Sequence, residues 1–314
     1  MSSETDATVP HRPLLRSLLF VPGNRTGWLP KARAAGADAA ILDLEDAVPA
    51  ADKPSARGRV AEAVALAAGD PPDAMALFVR INPLDGWATA GELRAVVRPG
   101  LTGIVLPKVR CAQDVRFADR LLTWCEQEQG LPGGTVALVP LLETARGLHD
   151  AHDIATAAAR VAYPGAVTAS GGDVARAVGY RWSQEGTETL ALRSRVLLDV
   201  RAAGAPHPVT GLWTHLDDLA GLRSFAEQNR SLGYEGMMAV HPSHVPVINE
   251  AFSPTPRELD RCARLIAAVE AAQADGAGAV SFEGEMVDEA MAATARLLRK
   301  RHAGPGPVHD PGSS

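Results

Sequence analysis

Hydrophobic positions in this chain fall into short, nearly continuous runs separated by longer Ala-rich stretches. The runs are RSLLFVPG (16–23), AAILDLED (39–46), ALFVRIN (76–82), GIVLPKV (103–109), TVALVPLLET (135–144), GAVTAS (165–170), HPVTGLW (207–213) and EGMMAVHP (235–242). They are rich in Leu and β-branched residues and end at Gly, Pro, Asn or an acid, which predicts strands. Between them lie helical segments such as GRVAEAVALAA, AQDVRFADRLLTWCEQEQG, LHDAHDIATAAAR and ETLALRSRVLLDVRAAG. Alternation of strand and helix predicts a parallel sheet. Apolar runs without polar alternation fit strands covered on both faces. Eight of them within roughly 240 residues favour a closed (β/α)8 barrel, a TIM barrel, over an open doubly wound sheet.

After the last run the pattern changes. SPTPRELDRCARLIAAVEAAQADGAG reads as a helix and a Gly-containing turn, AVSFEG as a short extended piece, and MVDEAMAATARLLRKR as a closing helix. The expected organisation is a disordered tail over residues 1–13, the barrel over 14–252, a C-terminal helical extension acting as a lid over 253–302, and a disordered Pro/Gly/Ser-rich tail over 303–314.

Composition narrows the function classes. The formal charge of -6 and the absence of a Lys/Arg run argue against a nucleic-acid partner. Cys111, Cys125 and Cys262 are odd in number and widely spaced, so neither a disulfide framework nor a zinc site is expected. The N-terminal MSSETDATVPHRP lacks the features of a signal peptide, and the sequence holds no apolar run of about 18 residues. A cytoplasmic protein with no membrane partner is the expectation.

In a parallel barrel the C-terminal ends of the strands form the mouth, where side chains from different strands converge. Those ends carry Asp43, Glu45 and Asp46, then Arg80 and Asn82, Lys108, Glu143, Asp173 and His241. A single charge at a strand end is readily solvated, but charges of both signs recurring at one topological place point to a site. Acids supply oxygen ligands to a divalent cation, and interspersed Arg and Lys suit an anionic substrate. His149 and His152 read as a solvated helix face, and His241 as a hydrogen-bonded residue rather than a ligand. Ser170–Asp173 lacks the Lys of a phosphate-binding P-loop, and no Ser has nucleophile-elbow spacing.

The motifs RSLLFVPGNR, DLEDAV, FVRIN, LPKV, PLLETARG, GGDVARAVG, VHPSHVPVINEAFSPTPRE and GEMVDEA occur in one order over residues 14–300. In this the chain resembles the citrate lyase beta-subunit-like family, the acyl-CoA branch of the HpcH/HpaI aldolases, which includes malyl-CoA and citramalyl-CoA lyases. The resemblance implies a homotrimeric or hexameric TIM barrel that uses Mg2+, with Mn2+ as a substitute. It also implies cleavage or formation of a carbon-carbon bond in a 3-hydroxyacyl-CoA thioester, with an acyl-CoA and a small 2-keto acid as the other partners. By position, Glu143 and Asp173 are implied as metal ligands, and Glu45 and Asp46 as catalytic residues holding metal-bound water. Arg80 and Arg16 are implied to hold the substrate's carboxylate or thioester carbonyl, with Lys108 and Glu143 beside them and Arg80 facing the enolate. Asp288 is implied as a general acid/base from a neighbouring subunit. The residues also admit plainer roles: an ion pair for Arg16 at the base of its strand, an acid partner for Lys108, and a helix N-cap for Asp288.

The chain departs from the family at Ala169 and Ser170, where a Phe-Gly pair is usual, and at Thr210, Met237 and Glu285, where charged residues differ or are lost. These departures keep two alternatives open, a non-catalytic barrel that binds acyl-CoA or a partner protein, and a malyl-CoA thioesterase or malate synthase-like enzyme. An acyl-carrier or lyase alpha partner is not indicated by one chain.

Overall fold

The computed structural model describes residues 12–71 and 73–302. The two expected tails, apart from Arg12 and Pro13, lie outside the described residues. All eight apolar runs contain a strand: β1 Ser17–Pro22, β2 Ala39–Asp43, β3 Ala76–Arg80, β4 Gly103–Leu106, β5 Ala137–Leu142, β6 Gly165–Ala166, β7 Val209–Thr210 and β8 Gly236–Ala239. They pair in parallel in the order β6-β5-β4-β3-β2-β1-β8-β7. The register aligns the charged exits, because Pro22 lies opposite Asp43 and Asp43 opposite Arg80.

The remaining seam, between β6 and β7, has no ladder but is bridged by backbone bonds. Tyr163 N–H donates to Pro206 O at 2.9 Å and Leu212 N–H to Thr168 O at 3.0 Å. Two glycines permit this approach. A Cβ on Gly165 would stand 1.8 Å from Val209 O, and one on Gly211 would stand 2.4 Å from Thr168 N. The eight strands thus form a nearly closed barrel.

Side chains alternate along each strand between two apolar clusters. Leu18, Ile41, Phe78, Val105, Val139 and Met238 pack together inside the barrel, with Tyr163 meeting Phe78 edge-on at 5.7 Å. Their neighbours Leu19, Leu42, Val79, Ile104, Leu138 and Met237 pack outward against the helices. This period-two sorting explains why the strands read as unbroken apolar runs: both faces are buried.

One expected helix is shorter than its pattern. The stretch 148–160 forms helices Ala145–His149 and Ala151–Ala155, then leaves helical geometry. That departure brings Arg160 into a buried network, where Nε donates to Asp119 at 2.6 Å and Nη1 to Glu126 at 2.7 Å. A charge-assisted pairing of two buried groups outweighs the modest propensity of an Ala-rich segment.

The chain divides into two compact units, the first ending at Phe252 and the second beginning at Ser253. The second contains helix Pro256–Ala274, β9 Ala279–Phe282, β10 Glu285–Asp288 and helix Glu289–His302. Its two strands pair antiparallel around Glu283 and Gly284, both at positive φ, 51° and 86°, the geometry of a two-residue hairpin turn. Sequence periodicity anticipates the helices but reads β10 as part of the last one. Leu265, Ile266, Val269, Val287, Ala292 and Ala295 form the core of this unit. Among the described residues no helix is long and apolar enough to cross a membrane.

Barrel closure yields a prediction. Gly165→Ala places a methyl group against Val209 O, and the seam must open, costing about 1–3 kcal/mol of stability. Urea unfolding measures this as a lower midpoint at unchanged slope. A variant as stable as the parent would show that the seam does not depend on Gly165.

Candidate active site

The carboxylate of Asp43, fully buried at the end of β2, organises the mouth. Arg80, next to it on β3, donates Nε to Oδ1 and Nη2 to Oδ2, both at 2.7 Å. The same two oxygens accept the backbone N–H groups of Glu45 and Ala47, each at 2.9 Å. The β2 exit is therefore wrapped around one carboxylate. Burial pulls the Arg80 guanidinium down, but its bonds to Asp43 and the fields of Asp43, Glu45 and Glu143 outweigh this and raise it, so it stays charged. The Phe20 ring lies 4.8 Å from Arg80 Cζ and closes the other face of the guanidinium.

Glu45 comes next in the network. Its side chain is 3% exposed, accepts Lys108 Nζ through Oε1 at 2.6 Å, and has Oε2 3.1 Å from Arg80 Nη1. That second approach is too poorly aligned to count as a hydrogen bond, so Oε2 is a buried oxygen without a donor. Burial raises the Glu45 carboxyl, and Arg80 and Lys108 oppose the shift. Asp46 is far more open and lies 3.5 Å from Lys108 Nζ.

Lys108 serves the site twice. Its backbone is left-handed, φ 53°, an unusual conformation for a residue with a Cβ. This turn sends its N–H to Glu143 Oε1 at 2.8 Å while its ammonium reaches Glu45. The next turn is held by Thr144, whose hydroxyl donates to Val109 O and accepts Gly147 N–H, both at 2.9 Å. A Cβ on Gly147 would lie 2.2 Å from Val109 O, so a glycine allows the β4 and β5 exits to touch.

Glu143 opens onto a cleft of about 390 Å³ together with Lys108, Asp173, Arg110, Asp114 and Arg176. Asp173 comes from the first turn of helix Gly172–Val178, after β6. Burial pushes the Glu143 carboxyl up to about 7; the Lys108 N–H opposes this, while Glu45 and Asp173 repel its charge. The inner mouth thus has more acid than its two cations neutralise.

Glu143, Asp173, Lys108, Glu45 and Arg80 are brought together as the sequence anticipates, with corrections of role for Arg16 and Arg80. Arg16 precedes β1 and so lies at the opposite end of the barrel, where Nε and Nη2 bond Asp38 at 2.9 and 2.7 Å. Strand direction alone forbids it a place at the mouth. The fork of Arg80, expected on the substrate, is spent on Asp43, leaving Nη1 toward Glu45. Asp288 ends β10 in the second unit and accepts Met291 N–H at 3.2 Å, the geometry of a helix cap. His241 is exposed and bonds Ser243 Oγ at 2.7 Å.

Sequence reasoning missed the support beneath these groups. Asn82 donates Nδ2 to Leu44 O at 2.9 Å and to Glu92 Oε1 at 2.6 Å, donates its N–H to Glu92 Oε2, and accepts Lys53 Nζ. Lys53 and Glu92 lie on helices with no motif around them; their only signal was Asn82 at a strand end. Thr210 and Met237, two of the departures, do not line the cleft. Thr210 is buried against Asn229 and Met237 packs in the outer cluster. Glu285 pairs with Arg261 inside the second unit. Ala169 is bound through its carbonyl by the Tyr180 hydroxyl at 2.8 Å.

Residues 16–242 match the family model described as HpcH/HpaI aldolase/citrate lyase. The chain belongs to this family. It is 36% identical over 297 residues to a citrate lyase subunit beta-like protein of Deinococcus radiodurans, covering 92% of this chain and 98% of that one. It is 33% identical over 283 residues to a (3S)-malyl-CoA thioesterase of Cereibacter sphaeroides, covering 90% and 92%. Its fold matches the crystal structure of CitE from Mycobacterium tuberculosis in complex with magnesium, acetoacetate and coenzyme A, with a TM-score of 0.71, 28% identity, and coverage of 92% and 98%. As a member of this lyase family the chain is an enzyme, a carbon-carbon lyase.

The donors present fit a divalent cation. Glu143 and Asp173 offer hard carboxylate oxygens on one cleft, and the Glu143 carboxyl, raised by burial and by the neighbouring acids, would be relieved by a cation. Among the described residues no three His, Cys, Asp or Glu side chains form a cage. A cation that keeps most of its waters needs only one or two carboxylates.

Two outcomes follow from this geometry. Lys108→Gly keeps the left-handed turn without a Cβ, so it should be more stable than Lys108→Ala by about 1–2 kcal/mol although both lack the ammonium; equal thermal midpoints would exclude backbone strain at this position. The second concerns pH. Glu143 holds its proton more tightly folded, at about 7, than at its ordinary 4.5, so its contribution to metal-free stability is complete below 4.5 and lost as pH rises through 7. Glu143→Gln does not titrate, and its stability relative to the parent should climb over that window and level off above it. A difference independent of pH would refute the shift.

Proposed function

We propose that this enzyme is a Mg2+-dependent lyase that cleaves, or in reverse forms, the bond between C2 and C3 of a 3-hydroxyacyl-CoA thioester. The products are an acyl-CoA and a 2-keto acid. The observation that carries this reading is the convergence of Glu143 and Asp173 on one cleft, backed by the cations Lys108 and Arg80. Support also comes from the solved CitE of Mycobacterium tuberculosis, described with magnesium and oxaloacetate and with magnesium, acetoacetate and coenzyme A.

In the cleavage direction the 3-hydroxyl loses its proton, the C2–C3 bond breaks, C3 becomes the keto carbon, and the electron pair passes into the thioester enolate. Protonation at C2 then yields the acyl-CoA. Glu143 and Asp173 would hold the Mg2+, which when bound supplies a Lewis acid for oxygen charge. Lys108 fixes Glu143 through its backbone and keeps Glu45 in place through its ammonium. Arg80, charged and largely desolvated, adds positive potential where the enolate oxygen develops its charge. For the proton delivered to C2, the family resemblance implies the exposed Asp288 of a second copy in a homo-oligomer, a role that its helix-cap contact leaves open.

Sequence identity to the malyl-CoA thioesterase favours a second reading, hydrolysis of the thioester to a free acid and CoA thiol. One experiment separates them. Malyl-CoA, citramalyl-CoA and related thioesters are incubated with and without Mg2+, and keto acid and free thiol are assayed in parallel. The lyase reading expects keto acid without thiol, with Mg2+-dependent turnover reduced at least about a hundredfold in Glu143→Ala and Asp173→Ala. Thiol release without keto acid would replace it with the thioesterase, and turnover indifferent to both substitutions would remove the cation site.

A further inference from the structure

The outer wall of the cleft is the short helix Gly172–Val178, which turns two opposite charges toward the same opening. Asp173 and Arg176, three residues apart, form an ion pair in which the Asp side chain is 22% exposed and the Arg 74%. Both line the cleft. The other two cations there are held elsewhere: the Lys108 ammonium bonds Glu45 at 2.6 Å, and Arg110 Nε lies 3.7 Å from Asp114. Arg176 alone among the three is paired with a carboxylate that the proposed function assigns to the cation.

We propose that Arg176 is an exchangeable counter-ion. It neutralises Asp173 in the cation-free protein, gives up that carboxylate when a divalent cation binds, and then takes a carboxylate of the substrate, so that cation and acidic substrate reinforce each other. This rests on the reading that Asp173 faces the cation.

The physical argument is competition followed by release. A carboxylate has a limited set of lone-pair directions, and a guanidinium in front of it contends with a metal for the same oxygens. A pair as exposed as this one is weak, so a divalent ion displaces it at little cost. The guanidinium then remains in a cleft containing Glu143 and Asp114, short of its partner. Its planar fork matches a carboxylate better than an ammonium does, which makes Arg176, rather than Lys108, the group suited to an α-keto acid. Linkage requires reciprocity: if the cation promotes binding of the anion, the anion promotes binding of the cation by the same factor.

The test is calorimetric, on the full chain, with Mg2+ alone, pyruvate alone, and pyruvate at saturating Mg2+ as probes. Arg176→Met should bind Mg2+ alone about two- to fivefold more tightly than the parent, because the competitor is gone. In the presence of saturating Mg2+ it should bind pyruvate at least about tenfold more weakly, as expected for loss of a charge-assisted bond. The direction of the first change is diagnostic, since an arginine that merely braced the helix would weaken Mg2+ binding when removed. Unchanged or weaker Mg2+ binding overturns the proposal, and so does unchanged pyruvate binding. Glu143→Ala serves as the control. If it binds Mg2+ as the parent does, the cation site itself is misplaced and the proposal falls with it, an outcome distinct from a normal control beside an indifferent Arg176→Met.

Discussion

Every part of the mouth is built outward from the bidentate contact between Asp43 and Arg80. Neither ion is tolerable alone in a desolvated position, and removing one partner of such a pair costs about 3–5 kcal/mol because the other is left uncompensated. Here the pair is further tied down by two backbone N–H groups on Asp43 and by the Phe20 ring over Arg80. These bonds hold the loop after β2 in the form that brings Glu45 to Lys108. Lys108 then spans from Glu45 to Glu143, so the exits of β2, β3, β4 and β5 are joined by a single chain of charge-assisted bonds.

This chain is deliberately unbalanced in charge. Arg80 and Lys108 face Asp43, Glu45, Asp46, Glu143 and, more distantly, Asp173. Asp43 and Arg80 satisfy each other, Lys108 offsets Glu45, and Glu143 is left with one backbone donor in a buried place. Burial and like charge both raise its carboxyl, and a divalent ion would reverse both effects. Structural anchoring and the proposed cation binding therefore fall to different members of one network: Asp43 holds the β2 exit, and Glu143 would hold the ion.

The strand ends themselves are placed by close backbone approaches. Gly165 and Gly211 allow the barrel to shut, and Gly147 lets the β5 exit rest on the carbonyl after Lys108. The spacing of Asp173 from Glu143 is set by the parallel pairing of β5 with β6, where Leu141 lies opposite Gly165 and Leu142 opposite Ala166.

The sequence by itself determined the eight strands, their parallel order of use and the identity of the charged exits, because apolar runs covered on both faces and acids at strand ends are local features. It also carried the family, through motifs that are contiguous in the chain. It could not assign partners. Asp43, Glu45 and Asp46 are nearly equivalent as letters, yet one is a buried anchor, one a bridge and one largely solvated, since strand pairing sets which carboxylate meets Arg80. Arg16 and Arg80 likewise share a substrate-binding role by resemblance, and the pairing of Arg16 with Asp38 decides for the ion pair at the strand base that the sequence left as the alternative. The hub at Asn82 and the left-handed Lys108 escaped notice because each depends on contacts with other segments of the chain, and the β10 hairpin because its residues read as the start of the helix that follows. Local pattern decided what the elements are; only tertiary structure, by matching each buried charge to one partner, decided what each charged residue is for.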